Sequence, residues 1–130
     1  YPNLIEINNN VILGNNVSIH AGDSKGVYIG NYVAIADGTY IRSGNHKFDD
    51  LNTKIRYQGH SCVEIDFNFN KYSVVIEDDV WIGARVIILS GTHIGKGSVI
   101  SAGSVISNTI PPYSIVVGNP GRVIKNRKNS

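Results

Sequence analysis

The sequence predicts an all-β fold, a parallel β-helix in which short strands and corners wind a triangular prism. Three observations carry that prediction. Aliphatic residues recur every six positions at Ile76, Ile82, Ile88, Ile94, Ile100 and Ile106, a period that neither an α-helix nor an isolated strand has. Four residues after each stands a second small or branched side chain, namely Val80, Val86, Thr92, Ser98, Ser104 and Ile110. Glycine or a polar residue usually fills the positions between.

Each hexad reads as a strand followed by a corner. In extended chain, side chains two apart share a face, so the aliphatic residue and the residue four later both point inward, and Gly83, Gly91, Gly95, Gly97 and Gly103 ease the bends. Three hexads close one coil. Stacked coils then pair strand on strand at about 4.8 Å around columns of Ile and Val.

The same pattern runs earlier through Ile7, Leu13 and Ile19 and then through Ile29, Ile35 and Ile41, and the three runs are out of phase. The phase slips locate two insertions. The polar stretch from Ala21 to Gly26 must bulge outward as a short loop, and a longer excursion protrudes over residues 42–74, with aromatics, Asp49, Asp50, His60 and an FNFN stretch. The chain is thus divided into repeats over about residues 5–41 and 75–117, the protruding loop over about 42–74, and a short C-terminal basic tail over 118–130. Residues inside the hexads are read as structural. Function is expected at the interruptions, because long loops without a period are usually functional.

A chain of 130 residues is one domain's worth. The net charge is +2, and the basic residues Arg122, Lys125, Arg127 and Lys128 crowd one end while the body is near neutral, so a nucleic-acid-binding surface is not expected. Cys62 is the single cysteine and has no partner for an internal disulfide. No long apolar run marks a membrane span and no leader is visible, so a reducing, cytoplasmic setting is expected. The chain begins at Tyr1 and holds no methionine, so a natural start further upstream is also expected.

From about Val75 to Lys125 the chain contains VWIG, IGKGSVISAGSVI, an IPP turn and GNPGRVI. In order and spacing these resemble the hexapeptide-repeat acetyltransferases that act on galactosides, maltose, nodulation factors and polysaccharides. The resemblance implies a left-handed coil, against the usual right-handed crossover rule. It implies a homotrimer with active sites in the clefts between neighbouring prisms, acetyl-CoA as co-substrate and no metal.

Acyl transfer from a thioester to a hydroxyl needs a base to take the hydroxyl proton and donors for the developing oxyanion, and a neutral histidine is a natural base near pH 7. His46 stands in SGNHKFDD, five residues past Ile41, where the prism wall gives way to the long loop. It is held by a rigid coil yet points outside. The resemblance puts the catalytic histidine at this junction, and of the four histidines only His46 is there. His93, inside a regular hexad, and His60, inside the loop, are read as bystanders. His20 lies one coil below Arg42 and is a candidate acceptor contact. Asp49 and Asp50 either orient His46, as a carboxylate does in hydrolytic triads, or solvate the loop, and the second reading is favoured.

Trp81 occupies a corner where an indole cannot enter the prism, so it must pack outside. By resemblance it borders the acetyl and pantetheine region; a purely interfacial role is an equal reading. The pantetheine arm would bond backbone at Ala84 and Ala102, where small residues let a chain approach. The resemblance puts a CoA phosphate contact at Arg122, with Lys125 second. Asn108 stands where some relatives have lysine, which puts one phosphate contact in doubt. An asparagine that holds the acyl group in the family corresponds to Asn15 or Asn16.

The leading expectation is an O-acetyltransferase acting on a sugar or polysaccharide precursor. The alternatives are an N-acetyltransferase on an amino sugar, a drug-acetylating enzyme, a zinc hydratase on the same prism, which would need three converging histidines, and a non-enzymatic scaffold.

Overall fold

An aliphatic residue every sixth position gives this chain strands of only a few residues, too short to stand alone, and they are stabilised by stacking. In the computed structural model residues 4–22 and 25–129 are described. The first coil is β1 (Ile5–Ile7), β2 (Ile12–Leu13) and β3 (Ser18–His20); the second is β4 (Gly26–Ile29), β5 (Ala34–Ile35) and β6 (Tyr40–Arg42). The chain then leaves the prism through β7 (Asn45–His46), a 3-10 turn at Ile55–Tyr57, β8 (His60–Ser61) and β9 (Ile65–Phe67). It returns as β10 (Asn70–Ile76), β11 (Trp81–Ile82) and β12 (Ile87–Ile88). A fourth coil is β13 (Thr92–Ile94), β14 (Val99–Ile100) and β15 (Val105–Ile106), and the last contains β16 (Thr109–Ile110), β17 (Ser114–Val117) and β18 (Arg122–Asn126).

Pairing follows the coils. The first face of the prism is β1-β4-β10-β13-β16, the second is β2-β5-β11-β14-β17 and the third is β3-β6-β12-β15. Prism ladders between coils are parallel and in register, for example Ile7 with Ile29, Leu13 with Ile35 and Ile19 with Ile41. The hexad aliphatics therefore stack in columns, and from Ile29 onward every column member is buried. Within the regular hexads from Val33 to Ser114 the residues four later are buried too, with Asn45, where the excursion begins, as the exception. Where these are polar, the hydroxyl bonds backbone in the next coil: Thr39 Oγ1 donates to Gly83 O at 2.9 Å and accepts Val86 N–H at 3.2 Å.

The corners explain the spacing residues. Between the first and second faces each coil has one residue in the left-handed region, Asn10, Tyr32, Asp79, Gly97 and Tyr113. Between the second and third faces the equivalents are Asn16, Gly38, Arg85, Gly103 and Gly118. That conformation is uncommon for residues with a Cβ, and the recurring backbone turn imposes it. Gly83 and Gly95 have a different reason for being glycine: a Cβ would lie 2.7 Å from Ala102 N and 2.6 Å from Pro112 N respectively, so the coils could not stack at their present separation. The third edge has no such regular column. Both insertions leave the prism there, after β3 and after β6.

Several boundaries differ from the sequence reading. Arg42 still belongs to β6, and Tyr72, Ser73 and Val74 are buried within β10, so the excursion is shorter than residues 42–74. Ala21 is buried and Gly26 is in β4, which narrows the first bulge; Asp23 and Ser24 lie outside the described residues. Within the expected basic tail, residues 122–126 form β18, which turns back antiparallel on β17. Val123 and Ile124 are both exposed, so the alternation that would have marked this strand is missing.

A second, smaller apolar cluster covers the outer side of the first face. Strand β9 pairs antiparallel with β10 and lays Ile65 and Phe67 over Tyr28, Tyr72 and Val75. Tyr72 Oη donates to Glu6 Oε1 at 3.0 Å, and burial, reinforced by that carboxylate, pushes the phenol up to about 12. His93 lies at the border of this cluster. Its Nε2 is 2.6 Å from Glu77 Oε2 and its ring meets Phe67 of β9 edge-on, contacts that give it a structural role.

Candidate active site

The third face supplies the platform. Alternation along β6 sends Ile41 into the core and Tyr40 and Arg42 outward. Pairing with β3 puts His20 directly beside Arg42, the one-coil offset expected from the sequence. The His20 ring packs on Tyr40 with centroids 5.1 Å apart. Arg42 Nε donates to Gly44 O at 3.2 Å and Arg42 Nη1 to Tyr40 Oη at 3.3 Å, so the guanidinium is braced against its own strand.

Beyond Arg42 the backbone leaves the prism and forms a short antiparallel ladder, Asn45 with Ser61 and His46 with His60. Residues directly opposite on such a ladder face the same side, and the two imidazoles lie 4.9 Å apart at 36°. Both are exposed. His46 opens into a hollow of about 390 Å³ with Lys47, Phe48, Asp49 and Ser61. His60 opens into a second, of about 230 Å³, with His20, Gly22, Arg42 and Gly44. The histidine pair stands between the two hollows. Strand β8 is tied back to the prism by Val63 N–H, which donates to Ser90 Oγ at 2.8 Å.

The sequence reads His60 as a bystander, and the structure places its ring beside that of His46. His60 is distant from His46 along the chain, and no periodicity in the loop indicated the pairing. Asp49 lines the His46 hollow without a hydrogen bond to the ring. Asp50 organises the loop: it accepts Asn52 N–H at 2.9 Å and the Thr53 hydroxyl at 2.8 Å, and those bonds, the Asn52 one first, hold its carboxyl below the usual range.

The other expected contacts lie elsewhere on the chain. Trp81 is in strand β11 on the second face, not at a corner. Ile82 points into the core, so alternation turns the indole outward, and it is 58% exposed. It borders a hollow of about 280 Å³ with Tyr32, Ser98 and Arg127. Ala84 and Ala102 are stacked turn residues on the edge between the second and third faces, where Gly103 N–H donates to Ala84 O at 2.9 Å. Asn16 is a corner residue on that same edge, across the third face from His46. Asn108 is exposed on the third edge, its carbonyl accepting His93 N–H at 3.2 Å. Arg122 and Lys125 are exposed on β18, opposite Val117 and Ile115. Thus His20, His46 and Asp49 gather at the excursion, while Trp81, Ala84, Ala102, Arg122 and Lys125 are spread over the second face, its edge and β18. Among the described residues no group of three or more His, Cys, Asp or Glu is arranged to hold a metal ion, and no helix is long and apolar enough to cross a membrane.

Comparison with known proteins fits this geometry. The profile of the family Bacterial transferase hexapeptide (six repeats) matches residues 73–108. A probable acetyltransferase of Mycobacterium tuberculosis is 40% identical over 104 residues, covering 80% of this chain and 32% of the relative. The chain therefore spans about a third of that relative's length. Among solved structures, a hexapeptide-repeat-containing acetyltransferase from Vibrio cholerae superposes with a TM-score of 0.77 at 30% identity, over 95% of this chain and 63% of that one. A galactoside acetyltransferase in complex with coenzyme A gives a TM-score of 0.57 at 25% identity, over 94% of this chain and 64% of that one. The prism is a left-handed parallel β-helix.

Proposed function

We propose that this chain, which belongs to the hexapeptide-repeat, left-handed β-helix acetyltransferase family, carries the transfer site of an O-acetyltransferase. The donor is acetyl-CoA, the acceptor is a hydroxyl of a sugar or polysaccharide precursor, and His46 is the general base. The observation that carries this reading is the placement of His46: an exposed imidazole on a ladder anchored to the rigid third face, opening into a hollow large enough for part of a sugar. The galactoside acetyltransferase among the structural neighbours supports the acceptor class.

In the proposed step His46 takes the acceptor's hydroxyl proton as the oxygen attacks the thioester carbonyl. The oxygen–carbon bond forms, the carbon–sulfur bond breaks, and the departing thiolate takes the proton from the imidazolium, which returns His46 to its neutral form. Trp81, Ala84, Ala102, Arg122 and Lys125 are assigned to the donor, and Asn16, His20 and Asp49 to the acceptor or acyl group. The distance of the Ala84–Ala102 edge from the His46 edge supports a homotrimer in which one prism supplies His46 and its neighbour the donor groove.

The test is His46→Ala in the purified protein, with thiol release from acetyl-CoA measured over a panel of sugars. A positioned base contributes about 10²- to 10⁴-fold, so a loss of that size with unchanged melting is expected. Full retained activity overturns the proposal. Mass spectrometry of the product distinguishes an acetyl ester from an amide, and an amide would reassign the acceptor to an amine.

A further inference from the structure

The third face and the excursion hold basic side chains that the proton transfer does not use. Arg42 is fixed by Gly44 O and the Tyr40 hydroxyl, and these bonds use two of its five N–H donors, one on Nε and one on Nη1. Among the described residues no carboxylate lies within 4.0 Å of it. A braced guanidinium without a carboxylate partner is preorganised for planar anion recognition, because little side-chain freedom remains to be lost on binding. The strand register adds a second group, since His20 is the cross-strand neighbour of Arg42 and is held there by Tyr40. Among the described residues, the hollow in front of them is lined by His20, Gly22, Arg42, Gly44 and His60, and two glycines leave it open. His60 is also the ring partner of His46 at 4.9 Å, so this hollow adjoins the reacting one.

We infer that the hollow lined by His20, Arg42 and His60 binds an anionic substituent, a carboxylate or a phosphate, carried by the acceptor sugar next to the hydroxyl that His46 deprotonates. The acceptor is then an acidic sugar rather than a neutral one. Arg42 is the specificity-determining residue, with His20 as a supporting contact. The inference rests on the acyl-transfer reading of His46, and it narrows the acceptor class.

The test compares methyl galactoside, methyl galacturonide and galactose 6-phosphate as acceptors for the wild type, Arg42→Gln and Arg42→Lys. The wild type is expected to favour one of the anionic sugars over the neutral one by roughly 10- to 100-fold in kcat/KM, the range of a charge-assisted hydrogen bond. Arg42→Gln should collapse that ratio, and Arg42→Lys should restore part of it. Preference for the uronate identifies a carboxylate and preference for the sugar phosphate a phosphate. Equal losses on neutral and anionic acceptors, or no anionic preference in the wild type, would overturn the inference. A calorimetric arm is independent of catalysis: the preferred anionic sugar should bind His46→Ala and fail to bind Arg42→Gln. If His46→Ala keeps full transfer activity, the base assignment falls while the calorimetric result still decides the anion site. If neither anionic sugar binds the wild type, the anion site falls and the base assignment keeps its own test.

Discussion

Ile82→Ala probes the packing that holds the site's platform. Ile82 is fully buried in the column Leu13, Ile35, Ile82, Ile100 and Val116, where ladders from the coils on both sides hold its neighbours. Truncation removes about three carbons, and at about 0.8 kcal/mol per buried methylene the transfer contribution is about 2.5 kcal/mol. The neighbouring coils are fixed by backbone pairing and cannot collapse into the void, so a cavity contribution raises the cost to about 3–4 kcal/mol, within the known range for such changes. For a chain of this length that corresponds to a drop of about 10–15 °C in Tm. Leu13→Ala is the internal control. It is in the same column but in the first coil, where Leu13 is 43% exposed, so its loss should be about half as large. Thermal and urea unfolding would be followed by circular dichroism at one protein concentration, because assembly contributes to apparent stability. Equal losses for the two variants would refute the idea that stacking between coils, rather than the residue type, sets the energy.

Thr39→Val keeps the shape of a fully buried side chain but removes the hydroxyl that links Gly83 O and Val86 N–H; it should cost about 1–3 kcal/mol in urea unfolding because both backbone groups are left without that partner. Tyr72 gives a pH prediction. Its folded-state pKa is raised, so the folded protein holds the phenolic proton more tightly than the unfolded chain does. The contribution is therefore full below the ordinary tyrosine value of about 10 and is lost as pH rises through about 12. The difference in urea midpoint between wild type and Tyr72→Phe should shrink across that window, and a constant difference would contradict the assignment.

Much of the architecture was legible because an inward aliphatic residue at each sixth position is a local requirement of a stacked coil. Ile76 through Ile106 needed no knowledge of tertiary contacts to be read as core. His46 was legible for a related reason: the repeat loses phase just before it, and a lost phase marks where the chain leaves the wall. Trp81 was assigned to the wrong part of its hexad because strand and corner are adjacent in so short a repeat, and only the pairing with Ala34 and Val99 fixes which is which. The β17–β18 return was hidden because a strand exposed on both sides has no alternation to detect.

The sequence by itself determined the prism, the points along the chain at which it is interrupted and the histidine at the second interruption. The tertiary structure decided what surrounds that histidine. The ring pair of His46 and His60 comes from a ladder closed across an aperiodic loop. The apposition of His20 and Arg42 was expected from a one-coil offset, but the brace on Arg42 and the hollow that it shares with His60 were not. Periodicity encodes contacts that repeat in every coil, whereas these contacts occur once. Their geometry depends on how an insertion folds back on the prism, and no residue spacing records that.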